Sequence, residues 1–183
     1  MATHPTLRLS HTTMAVNDLN TMLDFYEHVL GFHVTNRGEL DDGTEMAFIS
    51  QDPREHHQIV FVTGHQTGEH NFVMADHLAF RTESLDHLRD IGARLNDAGV
   101  EGVIPIDHGN AWSLYFTDPE GNGLECFVDS PFHVAQPYAG PLDLTSTDDD
   151  IAAATRAEIA SAPEFTPLRT WQANFEARIA EPR

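Results

Sequence analysis

Residues 106–125 read Ile106-Asp107-His108-Gly109-Asn110-Ala111-Trp112-Ser113-Leu114-Tyr115-Phe116-Thr117-Asp118-Pro119-Glu120-Gly121-Asn122-Gly123-Leu124-Glu125. The cluster from Asp118 through Asn122 is turn chemistry. The apolar runs on either side of it predict two strands joined by a hairpin. His108, Tyr115 and Glu125 then lie on strands whose remaining residues are mostly apolar. A hairpin that only packs does not need a histidine, a tyrosine and a carboxylate gathered together. A glutamate within the apolar run 124–128 is costly unless something positive meets it.

Outward from this hairpin, the chain repeats itself. Ser10-His11-Thr12-Thr13-Met14-Ala15-Val16 leads through Asn17-Asp18 into an amphipathic run, and Asp76-His77-Leu78-Ala79-Phe80-Arg81-Thr82 leads through Glu83-Ser84 into another. The first run predicts a helix over about 18–30, with Leu19, Met22, Leu23, Tyr26 and Leu30 on one face and Gly31 as its stop. The second predicts a helix over about 84–98, with Leu85, Leu88, Ile91 and Leu95 buried and Gly99 ending it. Strand-like runs follow each helix, at 32–35, 45–50 and 58–63, then at 103–106, 111–117 and 124–128. The pattern is β-α-β-β-β, twice. His11 and His77 are 77 − 11 = 66 residues apart. The same offset lays 59–62 on 125–128 and puts Ile59 where Glu125 stands in the second copy. This register suggests duplication of one module. The expected fold class is α+β: modules at about 7–66 and 73–130 within a domain over 1–130, then a linker and helical extension over 131–183.

The extension opens with a Pro- and Gly-rich stretch, 130–140, that reads as a linker. Thr147 or Asp148 can cap a helix reaching Ala160. Thr166 can cap a second helix with Pro167 at its first position. Leu168, Trp171, Phe175 and Ile179 give that helix an apolar stripe, for packing on its own domain, for a subunit contact or for a lid.

Composition narrows the function classes. The balance of 10 basic against 29 acidic residues gives 10 − 29 = −19. Such a chain is expected to repel nucleic acid and anionic membrane. Cys126 is the single cysteine, so no intrachain disulfide forms, and its place in an apolar strand reads as a plain buried thiol. No long apolar stretch and no leader sequence is evident, which points to a cytoplasmic protein. No Gly-rich phosphate loop is present to bind a nicotinamide or flavin. With 12 histidines in the chain, a single histidine carries little weight until spacing supports it.

The hairpin resembles the signature of the type I extradiol ring-cleavage dioxygenases, a branch of the vicinal oxygen chelate superfamily, here in a single-domain form. The match lies at Ile106, His108, Leu114, Tyr115, Asp118, Pro119, Gly121 and Glu125. The resemblance covers about residues 7–130 and implies two βαβββ modules closing a barrel around a metal. Many extradiol enzymes carry a further, metal-free copy of the fold ahead of the catalytic one; this chain has the catalytic copy and a helical tail. Equivalent positions on paired modules both hold histidine, and Glu125 adds a carboxylate. His11, His77 and Glu125 therefore make a two-histidine, one-carboxylate set, which with open positions points to Fe(II), with Mn(II) as the alternative. Ile59, read as the fourth symmetric position, cannot bind metal, and this favours oxygen chemistry over isomerisation.

His-His before the strand at 59 also resembles the family's acid-base segment. By strand alternation His57 shares the face of Ile59 and is expected to be the acid-base residue, with His56 as the fallback. The resemblance implies that Tyr115 hydrogen-bonds a substrate oxygen and that His108 contacts substrate. It implies as partners a catechol and O2, and a muconic semialdehyde-type product. Val60, Phe80 and Trp112 are expected to line the cavity, and a homo-oligomer is expected. Two other readings stay open: a metal-dependent isomerase or lyase of the glyoxalase type, and a non-catalytic binding protein for an aromatic ligand.

Overall fold

The computed structural model describes residues 11–52, 55–63, 78–136 and 138–180. These fall into two compact units, one of residues 11–63 with 117–123, the other of residues 78–116 with 124–180.

In the first unit β1 (Thr12–Ala15) leads to α1 (Leu19–His28), then β2 (His33–Glu39), β3 (Glu45–Ser50) and β4 (Ile59–Val62). The sheet order is β1-β4-β3-β2, with β1 parallel to β4 and the other pairs antiparallel. Asp18 caps α1, its side chain accepting the Thr21 amide. One face of the sheet packs on the helix. Met14 pairs with Phe61 and Ala47 with Phe61 across the ladders. The Tyr26 ring meets Phe61 edge-on at 4.9 Å, and its hydroxyl reaches the Met14 sulfur. Tyr26, Phe61, Ile49 and Met22 are among the fully buried side chains of this core.

The second unit repeats the plan. β5 (Leu78–Arg81), α2 (Leu85–Asp97), β6 (Ile104–Asp107), β7 (Ala111–Thr117) and β8 (Gly123–Asp129) follow in order, and Ser84 caps α2. The sheet runs β10-β6-β7-β8-β5, where β10 is Gly140–Pro141 and β5 is parallel to β8. Leu114 faces α2, since a Cβ placed on Gly92 would lie 3.4 Å from its Cδ1. Trp112, two residues away, donates its indole N–H to Thr155 of α3 (Asp148–Ile159). α2 and α3 therefore cover one and the same face. The described strands form open sheets, with no closed barrel among them.

The stretch read as a linker is built into this unit. β9 (Phe132–His133) pairs with β11 (Thr166–Pro167), and β10 (Gly140–Pro141) adds an edge strand beside β6. Thr147 caps α3 as expected. The last helix, α4 (Leu168–Ala180), starts one residue later than its sequence suggests, because Pro167 is spent on the pairing with Phe132. His133 stacks on Trp171 at 4.6 Å, and Trp171 on Phe175 at 5.3 Å. Among the described residues no helix is long and apolar enough to cross a membrane.

Candidate functional site

The ladders correct the symmetry argument by one residue. Thr12 pairs with Ile59 in the first sheet, but Leu78 pairs with Leu124 in the second. The first strands keep the 66-residue offset and the last strands do not. Ala79 is the partner of Glu125, and its counterpart Thr13 is the partner of Val60. The residue equivalent to Glu125 is therefore Val60. Ile59 pairs with Ile49 and turns toward the helix-covered face, with Met14 and Phe61. Val60, like Ile59, offers no atom to a metal, so the count of protein ligands is unchanged while its location moves.

The face of the first sheet away from α1 carries Thr13, Val60 and Phe48, which are ladder partners in turn. His11 precedes β1 and is brought to this face by its ring contact with His57. The His57 ring lies 4.5 Å from that of His11 and 5.3 Å from that of Phe48. Alternation from Ile59 would have sent His57 to the helix side. It does not apply, because β4 begins only at Ile59 and His57 sits in the preceding loop. His56 is exposed and also reaches the Phe48 ring, and its Nδ1 lies 3.0 Å from His57 Nδ1. Burial holds the His57 pKa below the ordinary imidazole value, and the neighbouring His11 and His56 push the same way. These surroundings disfavour the charged form of the His57 imidazole.

In the second unit the corresponding face carries Glu125 and Tyr115. The bonds Asp118 N–H to Asn122 C=O and Ser130 N–H to Asn110 C=O set the hairpin register. Both have residue numbers summing to 240, so Tyr115 stands directly across from Glu125. Glu125 is buried, 8% exposed, and the Tyr115 phenol is pushed up to about 12, first by burial and then by its hydrogen bond to Glu125. The Tyr115 hydroxyl also lies 3.0 Å from His108 Nε2, and His108 Nδ1 lies 2.8 Å from the Tyr138 carbonyl oxygen. The turn residues of the hairpin serve structure. Asp118 accepts the amides of Glu120 and Asn122 and the Asn122 side chain, and Gly121 takes φ +83°.

His77 lies outside the described residues, as do His4, His65 and His70. Among the described residues no three His, Cys, Asp or Glu side chains gather as a metal cluster. His11 and Glu125 belong to different units. Trp112 and Phe80 do not share the Glu125 face. Trp112 is held on the helix side by Thr155, and Phe80 pairs with Cys126. Cys126 is a buried thiol whose pKa is pushed up to about 12, by burial and then by Glu125. Sequence reasoning missed two features near Tyr115. Ser113 shares its face by alternation, and the Ser113 hydroxyl is fully buried with no hydrogen-bond partner among the described residues. Arg81 pairs with Phe127, packs its guanidinium 4.7 Å from that ring and forms an ion pair with Asp129.

Residues 8–126 match the Glyoxalase/Bleomycin resistance protein/Dioxygenase superfamily. The chain is 33% identical over 129 residues to biphenyl-2,3-diol 1,2-dioxygenase 3 of Rhodococcus globerulus, covering 68% of this chain and 65% of that protein. It is 26% identical over 130 residues to a probable lactoylglutathione lyase of Synechocystis, covering 67% of this chain and 95% of that one. A glyoxylase/bleomycin resistance protein/dioxygenase domain from Frankia has a similar solved structure, with TM-score 0.59, 26% identity, and coverage of 68% of this chain and 99% of that one. This chain belongs to the superfamily. The chain spans a little under two thirds of the Rhodococcus enzyme, and the family match ends at residue 126, before β9, α3 and α4.

Proposed function

We propose that this protein is an Fe(II)-dependent extradiol dioxygenase that cleaves a catechol-type aromatic diol with O2 to a muconic semialdehyde-type product. The observation that carries the reading is the chain Glu125–Tyr115–His108 on the sheet face away from the helices. It stands in a protein whose matched relatives include a biphenyl-2,3-diol dioxygenase. A diol of that kind, with an aromatic substituent beside the ring oxygens, is the substrate class proposed. The protein is proposed to work in the cytoplasm as a homo-oligomer.

The residues suit a divalent metal. Glu125 places a carboxylate among the buried neighbours Leu124 and Cys126, where a cation would offset its burial. His11 and His77 would complete the set with Glu125, and two imidazoles with one carboxylate suit Fe(II), with Mn(II) next. Such a metal supplies Lewis acidity toward the diol and one-electron chemistry toward O2 when bound. The chain's own groups do the rest. His57, whose surroundings disfavour its charged form, can take the proton of a diol hydroxyl, then return it to the product. Tyr115 is kept a neutral phenol and can hydrogen-bond a substrate oxygen without adding charge. His108 lies beyond Tyr115 and contacts the substrate from that side.

The lactoylglutathione lyase relative supports a second reading, a metal-dependent isomerase or lyase. Val60 counts against it, since it leaves the fourth symmetric position without a ligand. The test is oxygen uptake by anaerobically Fe(II)-loaded protein with a panel of catechols that includes biphenyl-2,3-diol. Stoichiometric uptake with a yellow product supports the dioxygenase. Uptake absent with every diol, and turnover of the hemithioacetal of methylglyoxal and glutathione, would replace it with the isomerase.

A further inference from the structure

We infer that Gln136 and the Tyr138 backbone, beyond the matched part of the family, form a positioning device that fixes the tautomer of His108. It makes His108 an acceptor toward Tyr115. The inference rests on the proposed role of the Glu125–Tyr115–His108 chain and assigns a direction to the protons in it.

A carbonyl oxygen can only accept. His108 Nδ1, 2.8 Å from the Tyr138 carbonyl oxygen, must therefore carry the hydrogen of that bond. A neutral imidazole has one N–H, so Nε2 is bare and accepts from the Tyr115 hydroxyl 3.0 Å away. The single Tyr115 proton then has two acceptors within the protein, Glu125 and His108, and a substrate oxygen competes with both. With the opposite tautomer His108 would donate to Tyr115, and the phenol proton would be left to Glu125 or the substrate.

One side chain holds both ends of the device. The Gln136 Nε2 donates to the His108 carbonyl at 2.8 Å, and the Gln136 Oε1 accepts the Tyr138 amide at 3.1 Å. Its Nε2 also reaches the Asn110 side-chain oxygen. Gln136 thus ties the backbone that carries the imidazole to the backbone that carries its acceptor. Gly109 permits the approach. Its φ is +73°, and a Cβ there would stand 2.5 Å from Val134 Cγ1 and 3.3 Å from the Tyr138 ring. Loops that hold a histidine through its second nitrogen are a general means of setting which nitrogen reacts.

Histidine nitrogen resonances report the tautomer directly. The experiment uses full-length, metal-free protein labelled with nitrogen-15, with the His108 signals assigned by their loss in His108→Asn. A single Nδ1–H tautomer is expected for the neutral imidazole in the unaltered protein. Gln136 is exposed, so Gln136→Ala is expected to keep the fold and to give a mixture with a clear Nε2–H population. Gln136→Glu keeps an oxygen to accept the Tyr138 amide and is expected to restore part of the Nδ1–H population. An Nε2–H tautomer in the unaltered protein, or an unchanged tautomer in Gln136→Ala, would overturn the inference. The readout needs neither metal nor substrate, so a failure of the dioxygenase reading in the oxygen-uptake assay leaves it standing.

Discussion

The arrangements β1-β4-β3-β2 and β5-β8-β7-β6 are two copies of one plan, with a capped helix after the first strand in each. They differ where chemistry would be done. At equivalent ladder positions the first copy has Val60 and the second Glu125. Opposite them stand Phe48 in the first and Tyr115 in the second. The first copy contributes imidazoles and an aromatic wall; the second contributes a carboxylate with a phenol and an imidazole behind it. The repeat supplies a scaffold, and the departures from symmetry supply the polar side chains proposed to act. The tail follows the same asymmetry, since β9, β10 and α3 all join the second unit.

The sharpest way to break this comparison is to exchange its faces. Ile59→Glu would strand a carboxylate against Tyr26, Met14 and the rest of the helix-side core, at a cost on the order of 3–5 kcal/mol. It is expected to yield little folded protein. Val60→Glu is expected to fold and to gain thermal stability on addition of Mn(II), because its carboxylate joins the His11 face. Circular dichroism melts with and without the ion check both. A stable Ile59→Glu beside an unfolded Val60→Glu would return the equivalence to the 66-residue register.

Next in size, Glu125→Ala removes the carboxylate that the first copy lacks. Loss of stoichiometric iron and of all oxygen uptake is expected, with the fold kept; metal analysis of the folded variant decides it. Full iron occupancy would show that Glu125 is not a ligand. His57→Gln tests the imidazole half. The expected drop is ~10²–10⁴-fold, mainly in kcat, with iron retained. His56→Ala is expected to change kcat by no more than about 2-fold, as its ring is exposed and does not meet His11. A crippled His56→Ala with a normal His57→Gln would reverse the two roles.

The smallest effect concerns how the tail is tied on. Trp112 donates to Thr155, Thr155 donates to the buried Asp107 carboxylate, and Asp107 also accepts the Gly109 amide. Thr155→Val leaves an indole N–H and a carboxylate oxygen short of a partner inside the protein, at a cost of about 1–3 kcal/mol. A lowered melting temperature with unchanged iron binding is expected. An unchanged melting temperature would mean that α3 is held without this chain.

Periodic features were readable from the residues. The helices, the cap at Thr147 and the strand hairpin follow from local pattern and turn chemistry, whereas Asp18 and Ser84, read as the first residues of their helices, are caps. Register was not readable at single-residue precision. Offset alone aligned Ile59 with Glu125, because the inserted residue lies between the strands and leaves no mark on composition. Alternation from Ile59 does not place His57, since it holds only inside a strand and His57 precedes one. The stretch 130–140 reads as a linker because Pro and Gly are counted as punctuation. Its backbone nevertheless forms β9 and β10 and supplies the acceptor for His108 through pairings distant in sequence.

The hairpin tip at residues 117–123 has a consequence for synthesis. Glu120 accepts the amides of Asn17 and Asp18, 103 and 102 residues earlier in the chain, and Asp118 meets the Tyr26 hydroxyl. These residues are counted with the first unit although they are translated after residues 78–116 of the second. The first copy therefore cannot finish folding on the ribosome when its own residues are complete. It waits with the start of α1 uncovered until the later hairpin arrives, so a gene cut between the two copies would leave the upstream product without its last piece.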